Sequence, residues 1–220
     1  MKVGTDGVLL GAWTSLPISP CSSPPAVLDV GTGTGLIALM LAQRFPAANI
    51  VGIDIDEASI EQAKENVKNS VFYQQIEVRK QDFLDLHSFS KKYNLIVSNP
   101  PFYVEETLGG NDARDTARHA TFLPFEKLVY NTAHLLEEGG LFSVIIPYKS
   151  ALDFISLCAQ NGFYLTRQTD VRSTARKPFK RSLLEFAKTI QPTTHSTLTL
   201  YDSAQNRTVE YTELTQDFYL

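Results

Sequence analysis

Short apolar runs with the two-residue rhythm or solid burial of strands alternate along this chain with segments whose apolar residues recur at helical spacing. Ala26-Val27-Leu28, Asn49 to Ile53, Gln75 to Val78, Asn94 to Ser98 and Leu141 to Ile146 read as five successive strands. The fourth, apolar through its middle, has the composition of a parallel strand covered on both faces. Between them, Leu36 to Ala42 reads as a helix, and so does the stretch from Asp56 to about Lys68, where Ile60, Ala63 and Val67 share a face below an Asp56 cap. Pro124 opens a helix carrying Phe125, Leu128, Val129, Leu135 and Leu136, which Gly139-Gly140 is expected to stop. Ser150 with Asp153 resembles a capping box for a helix ending at Gly162. Phe163 to Val171 and Leu183 to Ala187 predict an antiparallel pair at the sheet edge. Thr197 to Tyr201 and Thr208 to Tyr211 predict a C-terminal β-hairpin around Asp202 to Arg207. Before the first strand, Val8 to Trp13 reads as a short helix that Asp6 could cap, followed by a Ser/Pro/Cys linker from Pro17 to Pro25. The expectation is an α/β fold with a doubly wound, mostly parallel sheet of seven strands, an antiparallel edge pair and the hairpin. It is organised as one domain over 1–220: a segment and linker over 1–25, a core over 26–190 and the hairpin segment over 191–220.

Composition narrows the class. With 220 residues, 43% of them hydrophobic, the chain has the means to build a sizeable core. A net charge of −4 argues against a protein that coats nucleic acid non-specifically, so any such partner is held by a local patch. Two distant cysteines, Cys21 and Cys158, suggest a reducing compartment rather than a disulfide framework. His87, His134 and His195 have no metal-ligand spacing, and no metal is expected. No run reaches membrane-spanning length, so a cytoplasmic protein without a membrane partner is expected, as a monomer.

The chemistry gathers where strands end. Asp29-Val30-Gly31-Thr32-Gly33-Thr34-Gly35 forms a strand–turn–helix junction. Its glycines permit a sharp turn and close approach of a ligand to the backbone, and the new helix aims free N–H groups at that ligand. Asp54 closes the second strand, where a carboxylate accepts from ribose hydroxyls. These features suit an adenosine-bearing cofactor but leave its identity open, because Gly33-x-Gly35-x-x-Ala38 also fits a looser dinucleotide fingerprint. Asn99-Pro100-Pro101-Phe102 follows the fourth strand. Two prolines stiffen the backbone and remove two donors. The Asn99 side-chain oxygen and the Pro100 carbonyl remain as acceptors beside the Phe102 ring, a setting for a planar amino group. Such acceptors localise the lone pair of an exocyclic amine toward an incoming methyl, which favours methyl transfer from a sulfonium such as S-adenosylmethionine, leaving S-adenosylhomocysteine. Asp82, after the third strand, then accepts from the cofactor's adenine amino group.

Together, the Asp-x-Gly-x-Gly-x-Gly loop, Asp54, Asp82 and Asn99-Pro100-Pro101-Phe102 resemble a class I S-adenosylmethionine-dependent methyltransferase of the amino-methylating kind, with its Rossmann-like fold. More narrowly, Lys2 to Trp13, Ala117-Arg118-His119 and the ending Leu214 to Leu220 resemble the bacterial tRNA(Val) adenine-N6 methyltransferases. The resemblance implies N6 methylation of the adenine 3′ of the anticodon in a valine tRNA. It also implies a cofactor site comprising Thr5, Asp6, Asp29, Gly31, Thr32, Gly33, Gly35, Asp54, Ile55, Asp82, Phe83 and Asn99. Asn99, Pro100 and Phe102 are the expected catalytic residues, and Pro101 and Tyr103 the walls of the substrate cleft. Members of that family carry a further stretch before the Lys-Val-Gly-Thr-Asp segment, which here begins at Met1, so more chain is expected upstream.

The polar segment to about Thr121 is long for a connection and holds Arg114, Arg118 and His119, candidates to grip RNA or close over the cofactor. Arg176, Lys177 and Arg181 lie in a basic connection suited to a tRNA backbone. Phe218-Tyr219-Leu220 is expected to pack down. Competing readings are N-methylation of a protein glutamine amide, guanine-N2 methylation of ribosomal RNA, an NAD-binding oxidoreductase, and a tRNA-binding protein without activity.

Overall fold

Strand β1 (Ala26–Val30) sits inside the sheet, flanked in parallel by β2 (Asn49–Asp54) and β4 (Tyr93–Ser98). A computed structural model describes residues 4–17, 24–88, 92–101 and 123–219. Its eight-stranded sheet has the order β3-β2-β1-β4-β5-β7-β6-β8, completed by β3 (Ile76–Lys80), β5 (Leu136–Pro147), β6 (Tyr164–Arg172), β7 (Arg181–Ala187) and β8 (Thr194–Thr199). The chain runs from β1 outward to β3 and then returns to lay β4 on the other side of β1. That reversal opens a crevice at the carboxyl ends of β1 and β4.

Strand alternation divides the core into two layers. Leu28, Val30 and Ile96 face helices α4 (Phe125–Leu135) and α5 (Ala151–Gln160) through Leu128, Val129, Phe154 and Cys158. Val27, Leu95 and Val97 face α1 (Thr5–Trp13) and α2 (Leu36–Arg44) through Leu9, Leu10, Ile37 and Leu41. Helix α3 (Glu57–Lys68) buries Ile60, Ala63 and Val67, and the Asp56 side chain caps it by accepting from the Ser59 amide at 2.8 Å. Gly162, at φ 81°, ends α5 as expected.

Several expectations are corrected. The antiparallel pair β6–β7 forms, but β8 adds in parallel outside β6 and takes the edge, making eight strands rather than seven. The C-terminal hairpin does not form. Thr208 caps a helix, α6 (Val209–Thr215), by accepting from the Tyr211 amide at 3.2 Å. Only the turn survives, closed by a bridge between Tyr201 and Arg207. Four residues of apparent alternation fit a helix equally well when Tyr211 and Thr215, four apart, are the buried pair. Gly139-Gly140 does not stop α4, which ends at Leu135; both glycines lie in β5. A Cβ on Gly140 would come within 2.8 Å of the Leu136 side chain and 3.0 Å of the Asn94 carbonyl, so close strand approach explains this glycine. Ser150 precedes α5 without a side-chain cap, because the chain enters through a 3-10 turn (Tyr148–Ser150) rather than in extended form. Asp6 does not cap α1 either; Gly4 holds the cap position. Phe218 and Tyr219 do pack down, against Val8, Ala12 and Met40.

Candidate active site

The crevice is a cavity of about 580 Å³ at the carboxyl ends of β1, β2, β3 and β4. Its floor is the turn after β1. Gly31, Gly33 and Gly35 have φ of 72°, 55° and 81°, the left-handed region where a side chain is strained. The amides of Gly31 and Thr32 both donate to the Ile53 carbonyl at 2.9 Å, and the Gly35 amide to the Thr32 carbonyl at 2.9 Å. The Gly33 amide donates to Asp54 Oδ2 at 2.9 Å. These four N–H groups are thus committed within the protein. The turn therefore meets the cavity as a bare backbone surface, and helix α2 starts directly after it at Leu36.

Asp29 does not line the cavity. It lies on the α2 face of β1, fully buried, with Oδ2 accepting from the Thr32 hydroxyl at 2.6 Å and Oδ1 without a hydrogen-bond partner. Burial pushes its carboxyl up to about 7, against the pull of the Thr32 hydroxyl and the Ala38 amide, and nearby Asp54 adds to the rise. Asp29 therefore supports the turn from beneath. Gly52, on the neighbouring strand, makes room for Thr32: a Cβ there would lie 2.7 Å from its Oγ1.

Asp54, half-buried at the end of β2, lines the cavity. Its Oδ1 also accepts from the Asp56 amide at 3.0 Å, which fixes the carboxylate while each oxygen keeps further acceptor capacity. Ile55, 38% exposed, adds an apolar wall beside it. Asp82 and Phe83 line the far side, where Asp82 Oδ1 accepts from the Leu84 amide at 2.9 Å. The Phe83 carbonyl is held by the Asn131 side-chain amide at 2.8 Å.

Ser98 locks the tips of β4 and β1 together by donating its hydroxyl to the Val30 carbonyl at 2.9 Å. That bond places Asn99, Pro100 and Pro101 on the cavity wall beside the glycine turn. Phe102, Tyr103, Arg114, Arg118 and His119 lie outside the described residues.

The N-terminal helix is a further wall. Gly4, Asp6 and Gly7 line the cavity, whereas Thr5 is exposed and is not on its surface. Asp6 Oδ2 accepts from Arg181 Nε at 2.8 Å. Arg181, expected on an RNA surface, is thereby tied to the cavity rim, while Arg176 and Lys177 are exposed in the turn between β6 and β7. Helix α1 is clamped by long-range contacts. Arg44 Nη1 donates to the carbonyls of Gly11 and Thr14, both at 2.7 Å. The Trp13 indole donates to Thr169 at 2.9 Å under the guanidinium of Arg167, 3.7 Å from its ring centroid. Sequence reasoning missed Gly7, Ser98 and Leu123 as lining residues; for Ser98 the place at a strand tip before Asn99 was the available signal. Among the described residues no cluster of His, Cys, Asp or Glu is arranged to hold a metal, and no helix is long and apolar enough to cross a membrane.

A family model for the methyltransferase small domain matches residues 18–153. The chain is 42% identical to the tRNA1(Val) (adenine(37)-N6)-methyltransferase of Christiangramia forsetii, across 100% of this chain and 91% of that protein. It belongs to the tRNA1(Val) (adenine(37)-N6)-methyltransferase family. Another family member, from Bacteroides thetaiotaomicron, is 43% identical across 100% of this chain and 91% of its own length. Among solved structures, a predicted O-methyltransferase from Agrobacterium tumefaciens superposes with a TM-score of 0.72 at 17% identity, covering 96% of both chains. A ribosomal protein L11 methylase from Lactobacillus delbrueckii does so at 0.54 and 23%, covering 83% of this chain and 78% of its own. These two share the methyltransferase fold. The site fits a methyltransferase cofactor on its own terms: its volume lies in the range of small-molecule pockets, and its floor is a turn that side chains would obstruct.

Proposed function

We propose that the protein methylates N6 of an adenine in a tRNA anticodon loop, the adenine 3′ of the anticodon in valine tRNA, using S-adenosylmethionine. One observation carries this reading: a single cavity runs from the glycine turn and Asp54 to Asn99, Pro100 and Pro101. A cofactor seat and a row of amine acceptors therefore share one space. The relatives named above act on that tRNA adenine, which supports the same assignment.

S-adenosylmethionine, when bound, supplies a methyl group activated by its sulfonium. The chain's residues do the rest. Asp54 accepts from the ribose hydroxyls and Asp82 from the cofactor's adenine amino group. Ile55 and Phe83 supply apolar contact around them. The Asn99 side-chain oxygen and the Pro100 carbonyl accept the two hydrogens of the target amine, which turns its lone pair out of the ring plane. The rigid Pro100-Pro101 backbone keeps these acceptors in place before the base arrives. The base leaves a loop rather than a duplex, at lower unstacking cost. Transfer would form the new N–C bond as the sulfonium's S–C bond breaks to leave S-adenosylhomocysteine, and one of the two protons held by Asn99 and Pro100 would then leave to water.

Incubating the protein with labelled cofactor and unmodified valine tRNA, then digesting to nucleosides for mass spectrometry, tests this. N6-methyladenosine is the expected product. Label on N2 of guanine, or on a glutamine of a release-factor-like protein offered in parallel, overturns it.

A further inference from the structure

We propose that Tyr148 and Phe179 form a stacking platform for an unpaired base of the RNA beside the one being methylated, with Arg176, Lys177 and Lys180 holding the adjoining phosphates. The proposal rests on the tRNA reading above and adds residues to it.

The placement follows from the sheet. Strand β5 runs parallel to β4 with Val144 level with Ser98, and continues to Pro147, about 10 Å further on at 3.3 Å per residue. Tyr148 follows directly, at the same sheet end as Asn99 and one strand away. Arg181 pairs with Pro147 in the β5–β7 register, so the turn between β6 and β7 rises at this end as well. The Tyr148 amide donates to the Lys180 carbonyl at 3.1 Å, and the Lys180 amide to the Val171 carbonyl at 2.8 Å. The two segments are therefore fixed to each other by backbone.

The side chains lie in a row, with the Tyr148 and Phe179 rings tilted 39° to each other. The Phe179 ring centroid lies 5.3 Å from that of Tyr148 and 5.2 Å from the guanidinium carbon of Arg172. Arg172 is itself held by Thr199 Oγ1 at 2.9 Å and the Ala175 carbonyl at 3.2 Å. Tyr148, at the outer end, is 40% exposed. A large aromatic held rigid and open to water, beside three exposed cations on an acidic protein, has the chemistry of a single-stranded nucleic-acid site: faces for bases, positive charge for backbone.

The test uses the full chain and a fluorescent anticodon stem-loop of valine tRNA, with affinity followed by anisotropy over a series of salt concentrations. Tyr148→Ala should weaken binding about tenfold, the scale of losing one stacked base, without changing the salt slope. Tyr148→Phe should bind as the parent does. Arg176→Ala with Lys177→Ala should flatten the slope, because phosphate contacts release counterions. Melting temperature and S-adenosylhomocysteine affinity should stay at parental values in the Tyr148 variants. Unchanged RNA affinity in Tyr148→Ala, or a loss accompanied by weaker cofactor binding, overturns the platform. A parent protein that methylates no tRNA overturns instead the reading beneath it.

Discussion

The buried carboxyl of Asp29 makes the stability of this protein depend on pH in a specific direction. Its pKa is raised from 3.8 to about 7 because folding removes it from water, with one oxygen left unpartnered. The folded chain therefore binds this proton more tightly than the unfolded chain. The resulting stabilisation is fully present below pH 3.8 and is lost as pH rises toward 7, beyond which it is flat. Each pH unit inside that window removes about 1.4 kcal/mol, so about 3 kcal/mol disappears between pH 5 and pH 7. Asp29→Asn keeps the shape and a carbonyl oxygen to accept from Thr32, and it carries no charge at any pH. Urea denaturation of both proteins, without cofactor so that binding does not add its own stabilisation, measures the difference. Other groups titrate in both chains and cancel. The variant should gain about 3 kcal/mol on the parent between pH 5 and pH 7.5. Parallel stability curves across that range would refute the burial argument.

Other outcomes are equally open to measurement. Asn99→Ala should lower kcat at least about 100-fold, the scale of removing one preorganised polar contact, with S-adenosylhomocysteine affinity by calorimetry little changed. Gly52→Ala should cost about 1–3 kcal/mol and weaken cofactor binding, since its Cβ would meet Thr32 Oγ1 at 2.7 Å and push on the turn. Arg44→Ala should destabilise by about 1.5–3 kcal/mol, a range for hydrogen bonds from a charged donor, and loosen the α1 wall of the cavity; thermal melts with and without S-adenosylhomocysteine report both. Arg176→Glu with Lys177→Glu should weaken tRNA binding with a shallower salt dependence. Arg181 is left out of that pair because its bond to Asp6 would mix a cavity effect into the result.

The crevice was legible because parallel strands announce themselves twice. The runs of β1, β2 and β4 are mostly apolar, and the residues expected to do chemistry sit at the carboxyl ends of β1 to β4. Asp54, Asp82 and Asn99 could thus be placed around one space from order alone. What the sequence hid depends on partners far away in the chain. Nothing local distinguishes an Asp6 that caps a helix from one that meets Arg181, 175 residues later. Gly140 looked like a helix stop because its real neighbours, Leu136 and the Asn94 carbonyl, are met only when β5 lies against β4. Asp29 lies inside the cofactor motif, but its place there does not reveal which face of β1 it takes. The segment 208–211 was too short for its periodicity to separate strand from helix. Its Thr208 cap was the local clue, since the side chain accepts from Tyr211 three residues on.

The clamp on α1 has a consequence for how the protein is made. Helix α1 is made well before the residues of β6 and β7 that bind its Trp13 and Asp6, which lie in the last third of the chain. A nascent polypeptide arrested before β7 has its glycine turn, Asn99 and the Arg44 clamp, but it lacks the Arg181 that holds Asp6 at the pocket rim. The rim of the pocket is thus completed late in synthesis, by a residue 175 positions after the one it holds.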